Sequence, residues 1–152
     1  MESNRIARAA AVAGVVLAAG GLASCSLDNP IRTDTGKLRQ QYLVALQDVT
    51  AANAAASATA TRQLDAAFKA LGFRTRAVAA GAGVSEAAII VAPSRMDDKS
   101  CLRSAVRTVG VAQPKTYDHA TDRGAGSWEL AGTECARVHA EGIVKELVKR
   151  GG

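Results

Sequence analysis

The side chains best suited to chemistry in this 152-residue chain are two histidines and three cysteines. His119 directly follows Asp118, and a carboxylate beside an imidazole is a pairing that acid–base catalysis uses. Neighbours in sequence seldom point at each other, however, and no Gly-x-Ser-x-Gly or Ser-x-x-Lys motif accompanies them. His139 lies in a segment with helical periodicity, where we expect it on the exposed polar face. We therefore expect no catalytic residue and keep an enzyme that uses His119 and Asp118 as an alternative.

Metal and cofactor sites are not predicted either. The sequence has no CxxC pair and no second Cys or His at metal-ligand spacing. Asp97 and Asp98 are not followed by the alternating acidic residues and distal Glu of a calcium-binding loop. The Gly81-Ala82-Gly83 turn lacks the Lys and the following helix of a phosphate-binding loop. We expect no metal and no cofactor.

The amino terminus has the three-part pattern of an export signal. Residues 1–8 are weakly positive, the 15 residues from Ala9 to Ala23 carry no charge, and small residues end the segment. A helix of that length rises about 22 Å, which is less than the roughly 30 Å hydrocarbon core of a bilayer. The pattern therefore predicts a secretory signal peptide over residues 1–24.

The end of this segment, Leu22-Ala23-Ser24-Cys25, resembles the lipobox of bacterial lipoproteins, which is an aliphatic residue, two small residues and a Cys. All four positions match, and no family resemblance is evident in residues 26–152. The resemblance implies that the Cys25 thiol receives a diacylglyceryl group and that signal peptidase II cuts before it. Two acyl chains bind a bilayer stably, whereas one chain binds only marginally. An ordinary secreted protein and an uncleaved anchor are the alternatives.

The same resemblance implies a location. The bilayer would be the first partner, through acylated Cys25, and the domain would lie on the extracytoplasmic face of the cell membrane. In a bacterium with two membranes, Ser26 after the Cys would permit sorting to the outer membrane. Export and the scarcity of aromatic residues both disfavour nucleic acid as a partner.

If Cys25 is lipidated, two cysteines remain, Cys101 and Cys135, and they can form a disulfide with each other. Export would place them in an oxidising space, where disulfides form and persist. We therefore expect a Cys101–Cys135 disulfide, with two buried free thiols as the alternative. Such a bond would matter here, because only roughly a fifth of residues 25–152 are Leu, Ile, Val or Phe, which is little for a packed core.

The chain is mildly basic, with a formal net charge of +5. If Lys99, Arg103 and Arg107 lie on a helix, their spacing of four puts them on one face. Such a face would suit lipid headgroups or an anionic wall polymer, since each cation near an anionic surface contributes about 1 kcal/mol. A plain solvated face is the alternative.

The elements that would position these residues form a small α+β domain over residues 37–152, after a lipidated Cys and polar tether at 25–36. Apolar residues three or four apart predict helix over 37–71, which we expect to be kinked or split in two. Asp34 or Thr35 would begin this helix, and Gly72 would follow its end.

The remaining segments predict a small antiparallel sheet and a carboxyl-terminal helix. Residues 73–80 and 86–92 favour strands joined as a hairpin. Residues 94–109 favour a helix slightly over a strand, 113–127 a polar loop, and 127–132 a short strand whose Trp128 packs in the core. Residues 135–149 have clear helical periodicity.

Together these expectations describe a non-enzymatic binding or accessory lipoprotein of the cell envelope, acting on an unknown envelope protein or polymer. This hypothesis is motivated by the small size of the chain, by the predicted lipid anchor and by the lack of a recognisable set of catalytic residues. A second alternative to it, beside the His119/Asp118 enzyme, is a structural or assembly partner. It would pack through the Ala-rich helix, whose residues 51–61 carry no large side chain.

Overall fold

The computed structural model describes residues 30–95, 100–122 and 132–151. The α+β class and the carboxyl-terminal helix are confirmed. The expectations for Leu22, Ala23, Ser24, Cys25, Lys99 and Trp128 lie outside the described residues. The elements in chain order are α1 (Pro30–Gln41), β1 (Leu43–Leu46), α2 (Ala54–Ala70), β2 (Thr75–Ala77), β3 (Ala88–Ser94), β4 (Ser100–Val109), β5 (Thr116–Asp122) and α3 (Gly132–Lys149).

The five strands form one mixed sheet in the order β2-β1-β3-β4-β5. Strand β1 pairs in parallel with both β2 and β3, while β3, β4 and β5 are antiparallel to their neighbours. The predicted hairpin of residues 73–80 with 86–92 is wrong, because β1 lies between the two strands. Parallel strands need a long crossover, and α2 supplies the one from β1 to β2.

The long helix expected over residues 37–71 is two helices, as one of the two predicted forms allows, but a strand separates them. All four residues of β1 are buried. A buried run of four apolar residues has no period of its own, so it fits a helical pattern equally well. Helix α1 occupies Pro30–Gln41, so residues 30–36, which were predicted to belong to a polar tether, are helical. Gly72 follows α2 with φ +91°, as predicted.

The segment expected as a helix over residues 94–109 is instead the end of β3 and the whole of β4. Ser104, Val106 and Thr108 are buried, while the alternating residues Arg103, Ala105 and Arg107 are exposed. Strand β4 forms hydrogen-bonded ladders with β3 on one side and with β5 on the other. The local sequence fits a helix and a strand almost equally well, and pairing with these two strands decides for the strand. Strand β5 occupies part of the polar loop predicted at 113–127.

The main core lies between one face of the sheet and helices α2 and α3. Leu64 and Phe68 of α2 and Ile143 and Leu147 of α3 are completely buried in it. A smaller apolar cluster of Leu43, Ala45, Ala88 and Ile90 covers part of the opposite face, packed against Val78, Val84 and Val109. Among the described residues, no helix combines the length and the apolar composition needed to cross a membrane.

The predicted disulfide is confirmed. Cys101 of β4 and Cys135 of α3 are bonded, with their Cα atoms 5.9 Å apart. Both residues are buried beside the main core. The bond therefore attaches the carboxyl-terminal helix covalently to β4, one strand in from the edge of the sheet.

Removal of this bond should destabilise the domain strongly. A cross-link between positions 34 apart restricts the unfolded chain by about 3.8 kcal/mol at 25 °C on the chain-entropy model. We expect the Cys101→Ser/Cys135→Ser variant to lose about that much free energy of unfolding in a urea titration. Dithiothreitol should destabilise the wild type to a similar degree and leave the variant unaffected; an equal response of both would contradict this assignment.

Candidate functional site

A buried histidine joins α3 to two strands. The Ser104 hydroxyl of β4 lies 2.7 Å from Nε2 of His139, and the Thr121 hydroxyl of β5 lies 2.8 Å from Nδ1. Ser104 and His139 have no exposed surface, and Thr121 is nearly as well buried. The expectation that His139 is exposed is wrong. His139 stands one helical turn after Cys135 and one before Ile143, within the stripe of α3 that faces the sheet.

This environment keeps His139 uncharged. Burial, with a smaller contribution from the neighbouring His119, lowers the pKa of His139 to about 3. A neutral imidazole donates one hydrogen bond and accepts another, and a hydroxyl can do either, so Ser104 and Thr121 satisfy both ring nitrogens. A fully satisfied polar group inside a core fixes the geometry of its neighbours.

His119 does not pair with Asp118. Successive side chains of a strand point to opposite faces, and Asp118 is exposed while His119 turns toward α3. The His119 ring is half-buried, with its centroid 5.2 Å from that of His139. Burial lowers the pKa of His119, and the carboxylate of Glu146 partly offsets this. The enzyme alternative built on His119 with Asp118 loses its geometric basis.

Gly142 of α3 makes room for the His119 ring. A Cβ atom at this position would lie 2.7 Å from Cε1 of His119, closer than real contacts allow. Two residues earlier on β5, the Tyr117 hydroxyl donates to the carbonyl of Ile143 at 2.9 Å. Burial raises the pKa of Tyr117, and the guanidinium of Arg150 lies 4.6 Å from its ring centroid. The inward side of β5 thus contacts α3 along three turns.

The Ser104–His139 distance is that of a nucleophile and its base, but the arrangement does not suit catalysis. Neither side chain has solvent-accessible surface, so a substrate has no approach to the hydroxyl. The second ring nitrogen is bonded to a hydroxyl rather than to an orienting carboxylate. Within the described ranges, no group of three or more His, Cys, Asp or Glu could hold a metal ion. We interpret the cluster as structural.

Arg103 and Arg107 do share a face, although they lie on a strand rather than on a helix. Both are exposed on the side of β4 that faces away from α3, about 13 Å apart at the usual strand rise. Their partners in β5 are Ala120 and Thr116. Neither guanidinium forms an ion pair within the described residues. Contact of this face with an anionic surface stays a prediction.

A groove of about 520 Å³ lies between α2 and α3. Its volume falls within the range of small-molecule sites. The Ala-rich segment 51–61, through which an assembly partner was the alternative expectation, contributes only Thr59 to this groove. Residues of both helices line it: Thr59, Arg62, Gln63, Ala66, Ala67 and Ala70 of α2, with Thr133 and Arg137 of α3.

Of the residues that the sequence singled out, the structure brings Cys101 and Cys135 together and separates His119 from Asp118. Sequence patterns missed the buried position of His139, although its spacing of four from Cys135 and from Ile143 was a usable signal. Comparisons with protein-family models, curated proteins and solved structures found no match. Function must therefore be argued from the residues of this chain.

The protonation of His139 is directly measurable. We expect its Cε1 proton to show no titration by NMR between pH 8 and pH 5, because the folded state keeps the ring neutral. The unfolded chain takes up this proton below about pH 6.5, so the free energy of unfolding should fall as the pH drops from 6.5 toward 3. The slope from His139 is about 1.4 kcal/mol per pH unit. A His139 midpoint near 6.5 would contradict the buried geometry.

The fit of His119 against α3 is testable with Gly142→Ala. In an unhindered helix interior this change adds up to about 1 kcal/mol of stability. Here we expect a loss of about 1–3 kcal/mol, because the new methyl group displaces the His119 ring. In the His119→Ala background the same change should become stabilising. Equal effects of Gly142→Ala in both backgrounds, measured by denaturant unfolding, would show that the two residues do not interact.

Proposed function

We propose that this chain is a membrane-anchored extracytoplasmic lipoprotein that acts as a non-enzymatic binding or accessory protein of the cell envelope. The observation that carries the proposal is the Cys101–Cys135 disulfide. Disulfides persist in exported proteins and are rare in the cytosol. The lipobox-like Leu22-Ala23-Ser24-Cys25 sequence supports export independently. It also explains the third cysteine, Cys25, as the site of lipidation.

Two features of the described residues support binding rather than catalysis. The one Ser–His contact is sealed from solvent on every side, and its hydrogen bonds serve the core. The groove between α2 and α3 is open and is lined largely by methyl groups and hydrogen-bond donors. Such a surface recognises a ligand or a partner by shape and charge.

A structural or assembly role is a second candidate, favoured by the exposed alanines of α2. Ala55, Ala58, Ala66 and Ala70 are all exposed, and small side chains allow another backbone to approach closely. In both candidate functions the lipid anchor holds the domain at the membrane, and the helices that cover the sheet contact the ligand or partner.

Lipidation at Cys25 is the direct test. Cells grown with labelled palmitate should incorporate label into the wild type, and the intact mass should correspond to a chain beginning at acylated Cys25. The Cys25→Ser variant should incorporate no label and should keep residues 1–24. The Cys101→Ser/Cys135→Ser variant is the matched control, since it removes the other two cysteines without touching the predicted lipidation site. An unlabelled wild type, or label retained in Cys25→Ser, would contradict the proposal.

A further inference from the structure

We propose that the groove between α2 and α3 binds a single-chain amphiphile with an anionic head and an apolar tail, such as a fatty acid. This inference specifies the ligand of the binding role proposed above and rests on that role. It is carried by the distribution of polar, apolar and charged groups along the groove.

The lining changes character along α2. Thr59, Arg62 and Gln63 place polar groups toward the amino-terminal end of the groove, and Ala66, Ala67 and Ala70 place methyl groups over the following turns. From residue 59 to residue 70 a helix rises about 16 Å. The matching ligand is therefore elongated, polar at one end and apolar along the rest.

Helix α3 adds to both parts. Gly132 approaches Gln63 so closely that a Cβ atom at Gly132 would lie 2.7 Å from the Gln63 amide oxygen. The adjoining Thr133, which lines the groove, therefore lies at its polar end. Arg137, one turn further along α3, lines the next part of the groove.

Among the described residues that line the groove, Arg62 is the one cation without an ion pair. None of the described residues that line the groove is acidic. The Arg137 guanidinium is bonded to both Glu134 and Glu141, so this cluster of three side chains has a net charge of −1 and offers no free cation. Arg62 has no ion pair among the described residues and only a 3.4 Å contact with the Thr59 hydroxyl. Asp65, the next acid along α2, is paired with Lys69 at 2.9 Å. An anionic head beside Arg62 would supply the missing partner.

Binding of decanoate to the full-length Cys25→Ser protein tests this proposal, because no acyl group on the chain then competes for the groove. Titration calorimetry below the micellar concentration should show one decanoate per chain. Butyrate, which has the head without the tail, should not bind. Arg62→Ala should weaken decanoate about five-fold, the effect of one exposed ion pair, without weakening uncharged decanol. Ala66→Trp should fill the groove and abolish binding of both.

Two control variants make the same kinds of change outside the groove. Lys145→Ala removes an exposed α3 cation that has no ion pair within the described part of the chain, and Ala58→Trp adds the same bulk to an exposed α2 position. Both should bind decanoate like the Cys25→Ser parent, and circular dichroism should show all variants folded. No decanoate binding, or equal binding by Ala66→Trp and Ala58→Trp, would overturn the proposal.

A self-associating protein whose dimer is broken by Ala66→Trp would also overturn the proposal, since the groove would then be a contact between copies. Palmitate labelling of the wild type at Cys25 is unaffected by all of these outcomes, so the ligand and the lipoprotein proposals fail separately.

Discussion

The attachment of α3 to β4 and β5 is the constraint on which the domain depends. Cys135, His139 and Ile143 are spaced by four, so they lie in one line along the helix and meet the sheet together. The disulfide to Cys101 fixes the first of these positions covalently. Ser104 and Thr121 then hold the imidazole, and Tyr117 bonds the Ile143 carbonyl one turn further on. With few large apolar side chains available, these specific contacts supplement a small core.

The polar contacts under α3 also specify its position. A slide of one helical turn would leave two buried hydroxyls and an imidazole without partners, and each such group costs about 1–3 kcal/mol. Apolar packing alone would discriminate less sharply, because Ala, Val and Leu contacts tolerate small shifts. Gly142 adds a steric constraint, since only a residue without Cβ admits the His119 ring. Precise seating of α3 in turn fixes its distance from α2 and so the width of the groove.

The sequence predicted those features that have a local pattern or a simple chemical logic. The periodicity of residues 135–149 located α3. The two cysteines that remain if Cys25 is lipidated indicated the disulfide. Strand β1 was missed because four buried residues carry no period. Strand β4 was missed because Leu102 and Val106 fit both a helix and a strand, and pairing with β3 and β5 decides between them. His139 was placed outside because a polar residue in a buried stripe looks exposed until its partners on other strands are known. The groove depends on two helices more than sixty residues apart in the chain.

Disulfide mapping of the native protein tests the central claim most directly. Cells would be lysed with an alkylating reagent that blocks every free thiol, and the protein digested without reduction for mass spectrometry. The account predicts one cross-linked pair of peptides containing Cys101 and Cys135, with neither residue alkylated. Recovery of both residues as alkylated, unlinked peptides would contradict the covalent attachment of α3 and, with it, the oxidising location inferred for the chain.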